Sequence, residues 1–204
     1  RQWHKDDYQK PVLETARLVD AARRHDWRRL DDMLAYIERE NHDEVTVASL
    51  IRLLRACNSD KKWAVFIKTL QADPSPLVRA ASAEGLDGYL TGVSLKTLLN
   101  STRDEYRLVR VRAAGSLAGI HPDRLQEDTH RKGLERATAE LIEGMHSRGD
   151  EYTSHYNLGN FYMERRDLDQ ALTSYQTSIK LRPDFVPAYV NAAFAHNYIS
   201  SLAS

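Results

Sequence analysis

Apolar residues recur along this chain in steps of three and four. Val12, Ala16, Val19 and Ala22 mark one face of a first helix, and Leu30, Met33, Leu34 and Ile37 a second. Val47, Leu50, Ile51, Leu54 and Cys57 mark a third, and Trp63, Phe66, Ile67 and Leu70 a fourth. Such spacing is the 3.6-residue period of an amphipathic helix. No stretch alternates apolar and polar residues for long enough to predict a strand. Residues 123–147 carry Leu134, Ala137, Leu141, Ile142 and Met145 on one face, which predicts a long helix closed by Gly149 and Asp150. Prolines stand at 11, 74, 76, 122, 183 and 187, at or near the expected helix starts and junctions. Pro76 and Pro122 fall where a first-turn N–H has no partner to lose.

The pattern repeats. Residues 73–86, DPSPLVRAASAEGL, and 104–117, DEYRLVRVRAAGSL, share six of fourteen positions at an offset of 31. A weaker copy begins near Val45, with Thr46 in place of the arginine. Each copy follows a helix of about a dozen residues, so the unit is a pair of antiparallel helices. Asp73 with Arg79 and Asp104 with Arg110, the small pairs Ser82–Ala83 and Ala113–Ala114, and then Leu86 and Leu117 resemble a HEAT repeat. In such a unit the aspartate sits in the turn before the second helix and satisfies free N–H groups. The arginine can reach the aspartate of a neighbouring unit.

A second repeat type follows. Residues 152–185 read YTSHYNLGNFYMERRDLDQALTSYQTSIKLRPDF. Leu158, Gly159 and Tyr162 in a first helix, and Ala171, Tyr175, Ser178 and Pro183 in and after a second, resemble a tetratricopeptide (TPR) repeat, with Arg166–Asp167 as its turn. A half copy from Val186 places Tyr189, Ala192, Ala193 and His196 on the same grid, 34 residues on. The expected organisation is HEAT-like repeats over 1–122, a bridging helix over 123–150, and TPR repeats over 151–204, one complete and one half. The fold class is therefore all-α. The resemblances imply a right-handed superhelical α-solenoid of antiparallel helix pairs, which buries a continuous core and leaves an extended concave face. The order of these parts is similar to the C-terminal scaffold of some bacterial multihaem c-type cytochromes. That likeness concerns the scaffold alone, because no CxxCH haem motif occurs here. It implies a periplasmic setting; without it a cytoplasmic one is expected.

Composition narrows the function classes. Lys and Arg number 29 against 29 Asp and Glu, a balance that speaks against a nucleic-acid binder. Residues 185–204 lack Asp, Glu, Lys and Arg, yet Pro187, Asn191, His196, Asn197, Ser200 and Ser201 interrupt them, so membrane insertion is not expected. Nothing at Arg1 reads as a signal peptide, and the chain reads as a fragment or a processed product. Cys57 is the only cysteine, which excludes an internal disulfide and any Cys-x-x-Cys motif. It reads as a small buried hydrophobe rather than a nucleophile. None of the eight histidines has a recognised ligand spacing, so no metal and no other cofactor is expected. His155 and His196 fall on packing positions of the TPR grid, and His4 with Asp6 and Asp7 reads as a solvated arm. Arg103, Arg107 and Arg110 share one helical face, with Arg112 and Arg124 nearby, but interleaved carboxylates favour an ion-paired surface.

The groove side of the TPR grid holds Tyr156, Asn160, Met163, Glu164, Val190, Phe194 and Asn197, together with Tyr198. Tyr162, Tyr175 and Tyr189 take packing positions instead. The chaperone-binding members of the family have a lysine where Tyr156 stands, although Asn160 and Asn191 match two of their amides. Two readings stay open for this face: a peptide groove with aromatic anchors, or a surface that packs on the bridging helix or on a missing part of a parent. The expected function is a non-catalytic scaffold that binds a protein or peptide through its concave face, with self-association through the C-terminal helix a further possibility. The alternative is a structural module of a larger multihaem redox protein whose haem domains lie outside this chain.

Overall fold

The computed structural model describes residues 6–203, and side-chain surroundings for 12–201. His4 lies outside the described residues, as do the side chains of Asp6 and Asp7. Among the described residues every regular element is helical. The helices are α1 (Asp6–Arg23), α2 (Leu30–Ile37), α3 (Glu44–Leu54), α4 (Lys61–Ala72), α5 (Pro76–Gly85), α6 (Gly92–Ser101), α7 (Arg107–Ser116), α8 (Asp128–His146), α9 (Tyr152–Glu164), α10 (Leu168–Leu181) and α11 (Val186–Ala203). The chain forms two compact units, Arg1–Ala113 and Ala114–Ser204, with the boundary inside α7.

In the first unit α3 lies between α1 and α5, while α4 touches α2, α5 and α6. Two layers result, one of α1, α3 and α5 and one of α2, α4 and α6. The α2 and α3 faces are those the periodicity predicts, with Met33, Ile37, Val47, Leu50, Ile51 and Leu54 fully buried. Cys57 is buried just beyond the end of α3. Two other faces turn away from expectation. Val12 is 67% exposed, and α1 buries Leu18, Ala21 and Ala22 instead. In α4 the buried side runs through Lys62, Val65, Phe66, Thr69 and Leu70. Lys62 is buried because its ammonium is satisfied by backbone: Nζ donates to the carbonyls of Leu54 (3.0 Å), Arg55 (3.1 Å) and Cys57, at the end of α3 and in the turn that follows it. Burial holds its pKa below the ordinary lysine value. Thr69 is buried because its hydroxyl meets that of Ser82 at 2.7 Å.

The two copies at the 31-residue offset are built alike. Asp73 Oδ1 accepts from Ser75 N and Asp104 Oδ1 from Tyr106 N, both at 2.9 Å. Arg79 Nη1 donates back to the carbonyls of Asp73 and Pro74, and Arg110 Nη1 to those of Asp104 and Glu105. Arg79 also grips Asp104 with both remaining nitrogens, Nε to Oδ2 at 2.9 Å and Nη2 to Oδ1 at 3.0 Å. One guanidinium thus closes its own turn and ties it to the next. Val47, Val78 and Val109 are all fully buried, whereas Val45 is 59% exposed. The weaker copy therefore aligns two residues later than its sequence suggested, with Ala48 at the arginine position and His42 at the aspartate position. His42 Nε2 reaches Asp73 Oδ2 at 3.3 Å. The expected face of Arg103, Arg107 and Arg110 does not form, because α7 starts at Arg107 and Arg110 is buried in its turn. Small residues set the spacing: a Cβ on Gly85 would lie 2.9 Å from Phe66 Cδ2 and 3.2 Å from Ile51 Cγ2.

In the second unit α8 packs on α9, and α10 packs on both α9 and α11. Leu134 and Ala137 of α8 are fully buried. The ring of Tyr175 lies against Gly159, where an added Cβ would stand 2.4 Å from Cε1. Ser178 Oγ ties α10 to the carbonyl of Tyr152 at 2.9 Å. The turn between α9 and α10 is held by Arg166 in the left-handed region, φ 62°, and by Asp167, whose carboxylate accepts from Gln170 N at the start of α10.

Two outcomes follow from these contacts. Replacing Arg79 or Asp104 by Ala is expected to lower stability by about 2–4 kcal/mol, because the partner is left half-buried and unpaired. A double-mutant cycle read from urea melts should give a coupling of roughly 1–3 kcal/mol; strictly additive losses would show that the pair does not join the two turns. Gly159→Ala is expected to destabilise the second unit by about 1–3 kcal/mol, since overpacking outweighs the gain in helix propensity. An unchanged or raised melting temperature would contradict the close approach.

Candidate functional site

The sequence-derived groove residues lie on α9 and α11. Tyr156 and Asn160 lie about two turns and one turn before the end of α9, and Met163 and Glu164 in its last turn. Tyr156 and Met163 are half-buried against a core of Ala171, Tyr175 and Ala195. The Tyr156 ring meets Tyr175 at 6.0 Å and Phe185 at 5.1 Å between centroids. Val190 and Phe194 on α11 are 46% and 56% exposed, Tyr198 is 47% exposed, and Asn197 and Glu164 are exposed as well. Glu164 has a further interaction of its own.

A hydrogen-bond network joins three helices at the centre of this face. Tyr175 of α10 donates its hydroxyl to Asn160 Oδ1 at 2.8 Å. Asn191 of α11 donates Nδ2 to the same oxygen at 2.8 Å and to the Tyr156 hydroxyl at 3.2 Å. Asn160 Oδ1 thus spends both lone pairs inside the protein. Its Nδ2 and the Oδ1 of Asn191 bond to nothing in this network. Asn191 and Tyr175 are members of the site that the groove grid alone did not include. The signal for Asn191 was its match, with Asn160, to two amides of the chaperone-binding members of the family.

The face that α11 turns to its neighbours differs from expectation. Ala188 and Ala195 are fully buried and Asn191 and Ala192 half-buried, whereas Tyr189, Ala193 and His196 are exposed. The Tyr189 hydroxyl donates to the Pro183 carbonyl at 2.9 Å instead of entering the core. Docking through Ala188, Asn191 and Ala195, which share one side of α11, leaves Tyr189, Ala193 and His196 off the docked side. His155 donates Nε2 to the Gly149 carbonyl at 3.0 Å. Among the described residues no group of three or more His, Cys, Asp and Glu is placed to hold a metal. No described helix is long and apolar enough to cross a membrane.

Residues 152–185 match the family model of the tetratricopeptide repeat. The match covers α9, α10 and the turn into α11. Repeats of this kind are typically non-catalytic and serve in protein–protein interaction. Comparison with curated proteins and with solved structures finds no match.

Burial pushes the Tyr175 phenol up from its ordinary 10.0 to about 12. Since the folded value is the higher one, the neutral phenol supports the fold fully below pH 10 and that support drains away as pH climbs toward about 12. A shift of that size corresponds to a loss of about 3 kcal/mol. Tyr175→Phe should therefore be less stable than the native chain near neutrality, having lost the Asn160 bond, yet should lose less on going from pH 9 to pH 12. Parallel stability–pH curves from denaturant titration would remove the phenol from this role.

Proposed function

We propose that the second unit binds an extended protein segment across the face made by α9 and α11, as a non-catalytic scaffold. The observation that carries this reading is the uncharged strip of Val190, Phe194 and Tyr198 beside the network of Tyr156, Asn160 and Asn191. Exposed apolar area of this kind, bordered by polar groups, marks interaction sites. The ligand chemistry follows from what the network leaves over. Asn160 Nδ2 donates to a peptide carbonyl and Asn191 Oδ1 accepts from a peptide N–H, the pairing an extended main chain offers. Phe194 and Met163 supply apolar contact for a bulky side chain, and Glu164 and Asn197 border it with polar groups. The internal use of Asn160 Oδ1 and the tyrosine at 156 argue against capture of a terminal carboxylate. In this reading the HEAT-like repeats of 1–122 and the bridging helix of 123–150 carry the TPR part rather than bind. The doubled Arg–Asp turns at 73–79 and 104–110 support the HEAT-like assignment.

The test starts from peptides selected by display against the full chain and measured by calorimetry. Phe194→Glu is expected to weaken such a peptide by at least about tenfold, the scale of losing an aromatic anchor, with helicity by circular dichroism unchanged. Sizing of the same variant reports whether α11 also mediates self-association. If Phe194→Glu unfolds the C-terminal helices, or if the peptide binds it as well as the native chain, the groove reading fails.

A further inference from the structure

Three arginines of the first unit stand around one carboxylate. Arg52 lies on α3 and Arg55 just past its end, Glu84 in the last turn of α5, and Arg112 on the part of α7 that belongs to this unit. Arg55 Nη1 meets Glu84 Oε1 at 3.0 Å, and its Nη2 meets Asp87 at 3.3 Å. Arg52 and Arg112 reach the other oxygen, Glu84 Oε2, from α3 and from α7, with Nε at 3.7 and 3.8 Å. Those two approaches are charge contacts and not hydrogen bonds, which close to about 2.7–3.2 Å. Three permanent cations thus share two carboxylates. Arg52 and Arg112 are both close to half exposed, and they bring their N–H donors to this spot without spending them on Glu84. Exposed contacts of this kind add little to stability, so the fold does not account for the convergence.

The same side of each helix carries an apolar residue nearer its start. Val45 precedes Arg52 by seven residues and Leu108 precedes Arg112 by four, spacings that place each pair on one helix face. Leu77, half-buried on α5, precedes Glu84 by seven. Val45 and Leu108 are exposed. The face therefore has apolar positions toward the helix starts and a cationic band toward the helix ends. The carboxylates near it have partners already. Glu84 and Asp87 pair with Arg55, and Glu44, one residue before Val45, takes the hydroxyl of Ser75.

We propose that this face docks an acidic, amphipathic segment of a partner protein, whose carboxylates bridge Arg52 and Arg112 while its apolar side chains rest on Val45 and Leu108. Planar guanidinium forks suit carboxylates. An amphipathic helix presents acidic and apolar side chains at the same spacing of three and four that this face offers. A nucleic-acid backbone fits it less well, because Glu84 and Asp87 would face phosphates and nothing apolar would cover Val45 and Leu108. The inference goes beyond the peptide reading, which concerns α9, α11 and a different segment, and Phe194→Glu changes none of these residues.

The experiment selects a random peptide library on the full chain and depletes it on the double variant Arg52→Gln with Arg112→Gln. The surviving peptides are expected to set Asp or Glu among Leu, Ile or Phe. By calorimetry their affinity for the native chain should fall as NaCl is raised. The double variant should weaken them by at least about tenfold, the scale of losing hydrogen bonds to charged groups. Leu108→Ser, which touches no arginine, should weaken them by roughly fivefold through lost apolar contact. Both variants should keep their helicity and urea midpoint, since the replaced side chains are exposed or half-exposed. Phe194→Glu should bind these peptides as the native chain does, which separates this face from that of α9 and α11. A fluorescent DNA duplex should not bind; saturable binding that the double variant loses would make the face one for phosphate backbones and overturn the proposal. A library with no peptide that prefers the native chain, or with preferred peptides that lack acidic residues, would overturn it too.

Discussion

The second unit depends on how closely two helices approach at Gly159. With no side chain there, the ring of Tyr175 settles onto the backbone of α9, and its hydroxyl arrives within reach of Asn160. That one contact fixes the spacing of α9 and α10 and points a buried phenol at the candidate binding face. It also positions Asn160 to receive Asn191, so α11 is docked by the same network. Gly85 plays the corresponding part in the first unit, where it lets α5 rest on Phe66 and Ile51. In both places a small residue on one helix faces a ring on another, as close-packed interiors require.

Charged groups in the first unit do structural work that water would otherwise do. Arg79 closes the turn in front of its own helix and holds the aspartate of the next copy, so consecutive turns are linked through all three of its nitrogens. Lys62 ties together the carbonyls at the end of α3 and in the turn after it. Arg55 pairs with Glu84 and Asp87 on the exposed side of the same stack. Exposed pairs of that last kind contribute little on their own, whereas Arg79 and Lys62 are shielded and have no alternative partner. The separation explains how a chain with balanced charge keeps cations inside it.

Much of this was legible in the sequence, and the failures have physical causes. Helices α2 and α3 present the faces their periodicity predicted, because their apolar residues are large and their polar residues have nothing to bond inside. Helix α4 was misjudged by one position, since Lys62 and Thr69 read as surface residues and are buried only because their polar atoms find partners in α3 and α5. Helix α11 was misjudged because it has almost no polar side to contrast with an apolar one. Its docked face is chosen by the small size of Ala188 and Ala195, and periodicity cannot separate those from Ala193. The positions of Tyr156, Asn160, Val190 and Phe194 followed from the repeat grid. The bond between Asn160 and Asn191 joins residues about thirty apart, and no local pattern announces it.

The contact between Gly159 and Tyr175 also bears on how such a sequence can drift. With the ring in place, any side chain at position 159 is penalised. Shrink the ring first and the space opens, so that alanine or serine at 159 becomes neutral. The two positions therefore can change in one order and not the other. A lineage that keeps an aromatic at 175 inherits the glycine with it, whatever the scaffold has come to bind.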